Sequence, residues 1–512
     1  MKKIVLFFPP PFSSTRPYNG PPLGLLGISR QLDAEGYPIK IVTAAADPQY
    51  AETIVKECEG AICLGISSMT GYQIHEGRLV AQRVKERYPE LPIVWGGWHP
   101  SILPMETLAD PYVDIVAVGQ GERTFYELVK CLEQKGDLST VKGIGFKRDG
   151  KLVANSPRGI EPLDNFPPLP YHLLGDIETY IGNNEYGKRS LFYYSSYGCP
   201  HRCGFCIEEA VNNRGWKSLS AEKVADEVEG LVKKYGLDSL NIVDSNFFVD
   251  RQRVKRLCEL LVERGVKIRW GNVGGRASTL IKYDEETWKL LEQSGWATVL
   301  VGVESGDQET LDFMKKDTKV EDFTRFAELC ARHHVKIFGS YVIGFPWSKD
   351  PEECRKKIAV ELKADIALMK KLYTKHPWTR NMIFQYLPYP GTTLMDDAVQ
   401  LGITLPTSLE GWSKFLISPE EVNKMEHYQK WVSRKHVKMI PLLSTYIFFF
   451  LDRDSYEVYV KGRVKNPLVR LGATVMFYAF SALAHLRWKF EFFALPIDFY
   501  FYTLTRKYAK VG

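Results

Sequence analysis

At 512 residues the chain is long enough for several domains, and a composition of 45% hydrophobic, 25% charged and 13% aromatic residues is that of a globular protein with material for large cores. The net charge of +6 is mild for this length, and no Lys/Arg block of the size of a basic arm is present, which argues against a nucleic-acid partner. Six of the nine cysteines (Cys58, Cys63, Cys131, Cys258, Cys330 and Cys354) are scattered through apolar or helical stretches, so they read as buried thiols of a reducing, cytoplasmic compartment.

The opening MKKIVLFFPPPF has an apolar run too short, and too soon broken by proline, for a secretory leader. It reads as a buried strand. PPLGLLGISRQLDAEGY follows as a helix opened by Pro22 and ended near Gly36. PIKIVTA, AICLGISS, LPIVWGG and VDIVAVG are further strands, separated by AETIVKECEG and GRLVAQRVKERYPE and followed by the helix ERTFYELVKCLEQ. Alternation of this kind predicts a doubly wound, Rossmann-like parallel sheet over residues 1–140. Residues 141–189 read as a linker that carries a small hairpin, GIGFKRDGKLVA, and the proline-rich PLDNFPPLPYHLL.

A second alternating series starts near Ser190. Its strands are SLFYYSSYG, SLNIVDS, KIRWGNVG, TVLVGVESG, KIFGSYVIGF and NMIFQYLPY, with helices such as AEKVADEVEGLVKKYG between them. Six βα units over 190–404 predict a partial (β/α)6 barrel, whose chemistry belongs at the C-terminal ends of its strands. The fold class expected is therefore α/β, closed by a helical, aromatic-rich C-terminal region over 405–512.

Just past the first barrel strand, SSYGCPHRCGFC places Cys199, Cys203 and Cys206 in a C-x3-C-x2-C loop. Three thiols are one short of a closed zinc site. A cubane iron–sulfur cluster also takes four ligands. Taken alone, the spacing leaves a structural zinc loop or chance clustering open. The spacing, the aromatic Phe205 before the last cysteine and the position after the first of six βα units together resemble the radical S-adenosylmethionine (SAM) enzymes.

That resemblance implies a 4Fe–4S cluster held by Cys199, Cys203 and Cys206, with one iron left for SAM, and reductive cleavage of SAM to a 5′-deoxyadenosyl radical. It places Glu304, at the end of VGVESG, on the ribose hydroxyls. Asp244 and Ser245 end the second strand, where the family often has a Gly-Gly-Glu-like segment for the methionyl ammonium; VDSN departs from that pattern. Arg276 in GGRAS offers a planar fork to the methionyl carboxylate, a surface ion pair being its other reading. Tyr341 in GSYVIGFP and Leu387 in QYLPYPGT fall on the strands that contact adenine in the family.

The N-terminal segments GISSMTG, GGWHPSILP and VGQGE, ahead of such a barrel, resemble the cobalamin (vitamin B12)-binding radical SAM enzymes, in particular the anaerobic Mg-protoporphyrin IX monomethyl ester cyclase-like group. Cobalamin would lie on the strand ends, with Gly65, Ser67, Ser68, Gly97, Gly119 and Gly121 making room and water or Trp98 under the cobalt. The D-x-H-x-x-G motif that supplies a histidine to cobalt is absent. His75 and His99 lack its context; His99 is a candidate contact that reads more naturally as orienting its loop. A domain that had lost cobalamin would look the same.

After Lys461 nine basic residues (Lys461, Arg463, Lys465, Arg470, Arg487, Lys489, Arg506, Lys507 and Lys510) face two acidic ones among many aromatics. The mixture suits helices lying in a lipid headgroup region, making the protein peripheral on a membrane. A helical cap buried on the barrel and a true span are the other arrangements open to it. The resemblances imply an enzyme that methylates or cyclises an unactivated carbon of a small hydrophobic substrate, lipid-like or tetrapyrrole-like, with a reductase, ferredoxin or flavodoxin as electron donor. A methylthiotransferase-like RNA or protein modifier would need a second cysteine trio, for which Cys58, Cys63 and Cys131 are too dispersed. A non-catalytic cobalamin or iron–sulfur sensor would need an output module, and the sequence offers no DNA-binding helix pair or kinase-like region.

Overall fold

The structure, a computed structural model, describes residues 2–12, 20–415, 429–462 and 464–508. Its first sheet contains β1 (Ile4–Phe8), β2 (Ile39–Thr43), β3 (Leu64–Ser67), β4 (Ile93–Gly96), β5 (Ile115–Ala117), β6 (Ile144–Arg148) and β7 (Lys151–Ala154), in the order β2-β1-β3-β4-β5-β6-β7. The first five strands run parallel, and β6 and β7 are antiparallel. Their apolar runs need cover on both faces. Helices Leu23–Ala34 and Gly121–Glu133 cover one face, and Tyr50–Glu57 and Tyr72–Arg87 the other, each over its own core. The strand order turns back at β1, so a crevice opens between the ends of β1 and β3, where parallel sheets bind ligands.

The hairpin expected inside a linker extends this sheet instead. Asp149 and Gly150 both take positive φ, 50° and 74°, the turn that matches the twist of paired strands. Residues beyond it are not a loose connection either: Leu163, Phe166, Leu169, Tyr171 and Leu174 are buried in the core shared with the barrel.

The barrel strands are β8 (Ser190–Tyr193), β11 (Ser239–Ile242), β12 (Arg269–Gly271), β13 (Val273–Gly275), β14 (Thr298–Glu304), β15 (Lys336–Ile343) and β16 (Arg380–Gln385), all parallel. β12 and β13 are one predicted strand broken at Asn272, whose φ of 56° turns the chain while its N–H donates to Thr298 Oγ1 at 2.7 Å. A short antiparallel pair, β9 (Ser196–Gly198) with β10 (Trp216–Ser218), brackets the cysteine loop. The barrel stays open, and the free edge of β16 is covered by the C-terminal region. Ser444 Oγ accepts from the Ile383 N–H at 2.9 Å and donates to the Ile383 carbonyl at 3.1 Å.

Residues after β16 return to the first domain. Met395, Leu409 and Trp412 fill the core beneath Tyr72–Arg87, and Trp412 Nε1 donates to Glu106. A helix from Arg434, with a stretch of wider π-type turns over Leu442–Ile447, then leads to the helices Pro467–Phe490 and Ile497–Tyr508. Of the nine basic residues counted in the tail, Arg463 and Lys510 and the side chains of Arg506 and Lys507 lie outside the described residues.

Candidate functional site

The cysteine loop is pinned at its middle. The Gly204 N–H donates to the Met314 carbonyl at 2.9 Å, the Gly204 carbonyl accepts from Leu394 N–H at 3.1 Å, and Arg202 forks onto both oxygens of Asp317 at 3.1 and 3.2 Å. Segments following β14 and β16 thus hold a loop that follows β9. Cys199, Cys203 and Cys206 are free thiols. Burial pushes the Cys206 thiol up to about 12 and raises Cys199, and the two neighbouring sulfurs add to the rise at Cys206. A metal binding here must displace protons.

Donors point at the sulfurs from elsewhere in the barrel. Arg276 Nη1 lies 3.6 Å from Cys203 Sγ, and Asn246 Nδ2 lies 3.8 Å from Cys199 Sγ. Arg276 Nε and Asn246 Oδ1 are buried without a partner in the protein. Such orphaned polar atoms beside the thiols of one loop fit an anionic cluster with an attached polar ligand. Among the described residues no three His, Cys, Asp or Glu side chains gather around one ion position. A four-iron cluster asks for something else, one thiolate on each of three irons.

Arg276 and Glu304 are brought together by residues the sequence did not single out. Arg276 Nη2 donates to Thr318 Oγ1 at 3.2 Å, and Lys316 Nζ meets Glu304 Oε1 at 2.8 Å, both groups buried. Glu304 holds a φ of 65°, unusual for a residue with a side chain, and this turns its carboxylate back over Gly302. The run Cys203, Arg276, Thr318, Lys316, Glu304 is one connected polar wall. No local motif marks Lys316 or Thr318; only the fold places them.

Asp244 is bonded within the protein. Its oxygens accept from the Ser195 N–H at 2.6 Å, Ser195 Oγ at 2.7 Å and Ser196 Oγ at 2.7 Å, while Arg253 bonds Ser195 Oγ at 2.6 Å and the Leu219 carbonyl at 2.6 Å. Burial raises its pKa, and the Arg253 charge and these hydrogen bonds oppose the rise. These bonds fasten the end of β11 to the junction of β8 and β9. Asp244→Ala is expected to destabilise the fold by about 3–5 kcal/mol, because Arg253 keeps a buried charge without its counter-charge. A urea titration measures this; an unchanged midpoint would contradict the clasp.

Ser245, in contrast, lines a cavity and donates to Glu208. Phe205 packs edge-on against Phe345, with ring centroids 5.8 Å apart. Tyr341 is fully buried beneath the strand end, its hydroxyl without a protein partner, and Leu387 is half-buried.

The cavity, about 350 Å³, lies between the first sheet and the barrel. Phe8, Gly65, Ser67, Ser68, Gly96, Gly97, Trp98, Ala117, Gly119 and Gly121 form its first-domain side, and Tyr194, Ser196, Tyr197, Glu208 and Ser245 its barrel side. Seven of the eight residues expected around cobalamin are therefore on one wall. Gly97, at φ 97°, would set a Cβ 2.7 Å from the Ser68 carbonyl, so only glycine permits this approach of the loop. A Cβ at Gly119 would meet nothing within 4 Å, and Ser68 Oγ is buried without a partner. An open wall of small residues with an orphaned hydroxyl fits a flat, polar-edged ligand lying against the strand ends.

His99 is the exception. It is fully buried outside the cavity, its Nδ1 within 3.0 Å of Thr70 Oγ1 and its ring 5.9 Å from that of Trp412. Burial lowers its pKa to about 4. Its Nδ1 contact fits a residue that orients the loop after β4, while its Nε2 is buried without a protein partner; His75 is exposed on its helix and also lies outside the lining. No second cysteine trio assembles, since Cys58 and Cys63 sit in the separate cores on the two faces of the sheet.

Comparison with known proteins agrees with both halves of this geometry. Residues 193–358 match the radical SAM superfamily, and residues 12–129 match the B12 binding domain. An uncharacterized methyltransferase of Pyrococcus horikoshii is 28% identical over 88% of this chain and 92% of its own length. The anaerobic magnesium-protoporphyrin IX monomethyl ester cyclase of a Synechocystis strain is 27% identical over 70% of this chain and 72% of its own. Among solved structures, the cobalamin-dependent SAM radical enzyme OxsB, with aqua-cobalamin and SAM bound, superposes with a TM-score of 0.63 at 17% identity, covering 95% of this chain and 72% of that one. The methyltransferase TsrM of Kitasatospora setae, with cobalamin and a 4Fe–4S cluster bound, gives 0.62 at 19% identity over 79% and 76%.

Proposed function

The chain belongs to the radical SAM enzymes that carry an N-terminal B12-binding domain, and on that premise we propose that it methylates an unactivated carbon of a small hydrophobic substrate held between its first sheet and its barrel. The observation that carries this reading is a cavity with the strand ends of the first sheet on one side and the β9 segment leading into the cysteine loop, with Ser245, on the other. A substrate there would lie against the proposed cobalamin wall and beside the segment that leads into the cysteine loop.

Cys199, Cys203 and Cys206 would hold the 4Fe–4S cluster, Arg276 and Glu304 would hold SAM, and the wall from Gly65 to Gly121 would hold cobalamin. Bound there, the cluster and SAM supply a 5′-deoxyadenosyl radical and cobalamin supplies a methyl carrier. Arg276 offers its fork to the carboxylate end of SAM, next to Cys203. Glu304 exchanges part of its Lys316 pairing for the ribose hydroxyls. Tyr194 and Tyr197 line the cavity, which suits an apolar substrate. Relatives named for a magnesium-protoporphyrin ester, and a solved neighbour carrying tryptophan, support a flat hydrophobic substrate class. A reductase, ferredoxin or flavodoxin would supply the electron.

Glu304→Gln is expected to weaken SAM binding roughly 10- to 150-fold while iron content stays unchanged, the loss of ~1.5–3 kcal/mol from a charged hydrogen bond. Calorimetric titration of the cluster-loaded protein checks it; equal affinity would move the ribose contact elsewhere. The reaction itself is tested with SAM deuterated in its methyl group, a chemical reductant and an apolar extract as acceptor. Deuterated methyl in an extractable product supports methylation. Release of 5′-deoxyadenosine with an unlabelled, ring-closed product favours cyclisation, the reading that the ester cyclase similarity suggests.

A further inference from the structure

The helix Pro467–Phe490 is apolar on both sides. Phe477, Phe480, Ala484 and Trp488 are buried against the residues that cover β16. The opposite face carries Leu468, Leu471, Val475, Tyr478, Leu486 and Phe490 at intervals of three to eight residues, all in solvent; Leu468 is 81% exposed, Leu471 64% and Phe490 68%. An 18-residue window of the helix has a mean hydropathy of 1.4 and only 17% of it is buried. A helix of a soluble protein sheds its apolar residues from its outer face. This one does not, and the feature continues past the turn, where Leu495 is 72% and Ile497 74% exposed.

The turn is built to hold two helices together rather than to let one pass on through a bilayer. Arg487 donates to both oxygens of Asp498 at 2.6 to 3.0 Å and to the carbonyls of Phe492, Ala494 and Leu495. Tyr446 adds a hydrogen bond to Asp498 at 2.9 Å. Asp498 and the other acid of this segment, Glu491, are both taken, Glu491 by Lys370 at 2.7 Å. Lys465 and Lys489 stand exposed near the two ends of the first helix. The face is thus apolar in the middle and positive at its ends, with its acids neutralised.

We infer that this clasped helix pair seats the enzyme in the plane of a bilayer surface rich in anionic headgroups, without crossing it. The apolar stripe enters the acyl boundary, the lysines remain among the headgroups, and the buried side stays on the barrel edge. This surface is independent of the reaction the cavity performs.

Flotation of the full-length protein with vesicles tests it. Mixed phosphatidylcholine and phosphatidylglycerol vesicles should carry the protein upward at low salt, and pure phosphatidylcholine should carry much less. Lys465→Gln with Lys489→Gln should lower partitioning about thirtyfold, at ~1 kcal/mol for each charge. Leu471→Glu with Val475→Glu and Leu486→Glu changes only exposed positions, and should abolish flotation while iron loading stays at the wild-type level. Wild-type protein that ignores anionic vesicles overturns the proposal, as does a triple variant that still floats. Resistance to carbonate extraction would mean a span. Dimers that the triple variant dissolves would mean that a second copy of the chain covers the face.

Discussion

Replacing Cys199, Cys203 and Cys206 together by alanine is expected to leave a folded chain that holds almost no iron and releases no 5′-deoxyadenosine from SAM. The wild-type protein, reconstituted anaerobically, should hold about four irons. The effect is large because nothing nearby can substitute. The remaining cysteines are held in other parts of the fold, several of them fully buried. The loop itself is fastened by backbone bonds of Gly204 and by the Arg202–Asp317 pair, neither of which uses a cysteine side chain. The fold should therefore survive, and circular dichroism separates loss of the cluster from loss of the protein. A triple variant that keeps its full iron content would contradict the assignment.

Gly96→Phe should separate the two cofactors. Gly96 ends β4 on the cavity wall with an ordinary backbone, and a Cβ there would meet nothing nearer than Ala117 at 3.9 Å. Alanine at this position should be silent. A phenyl ring must enter the cavity, and overpacking of ~1–3 kcal/mol corresponds to a roughly 5- to 150-fold loss of corrinoid affinity. Iron content and reductive cleavage of SAM should stay near wild type, since Cys203, Arg276 and Glu304 lie on the barrel. Methyl transfer should fall with the corrinoid, leaving 5′-deoxyadenosine formed without methylated product. Corrinoid binding at the wild-type level, measured by absorbance after gel filtration, would place cobalamin elsewhere.

How much of this was legible beforehand followed how local each signal is. IVLFF, LGIS and IVWG are buried on both faces of a parallel sheet, so each reads as a strand without help from the rest of the chain. The cysteine loop carries its chemistry within eight residues. The strand-end glycines and serines of the first domain were also visible, because a crevice between parallel strands needs small residues at their ends. What escaped depends on contacts between distant segments. Lys316 and Thr318 join Glu304 to Arg276 only because the chain after β14 passes under the cluster loop. Asp244 ends a strand as a ligand-binding acid would, and its bonds to Ser195 and Ser196 across the sheet could not be read from its local segment. His99 sits in a strand-end loop, but Trp412, more than three hundred positions later, closes over it. The hairpin at Asp149–Gly150 was recognisable by its turn, whereas its pairing with β5 was not, since an edge strand offers its hydrogen bonds to whatever arrives.

The most direct measurement is iron and corrinoid content on one sample of anaerobically purified, full-length protein reconstituted with iron, sulfide and cobalamin. A cluster and a corrinoid facing one cavity predict about four irons and an equimolar corrinoid that co-elute with the chain. Corrinoid bound at that ratio should leave the Gly96→Phe variant while its iron stays. Protein that takes up the full complement of iron and cleaves SAM, yet retains no corrinoid at any loading, would contradict the account.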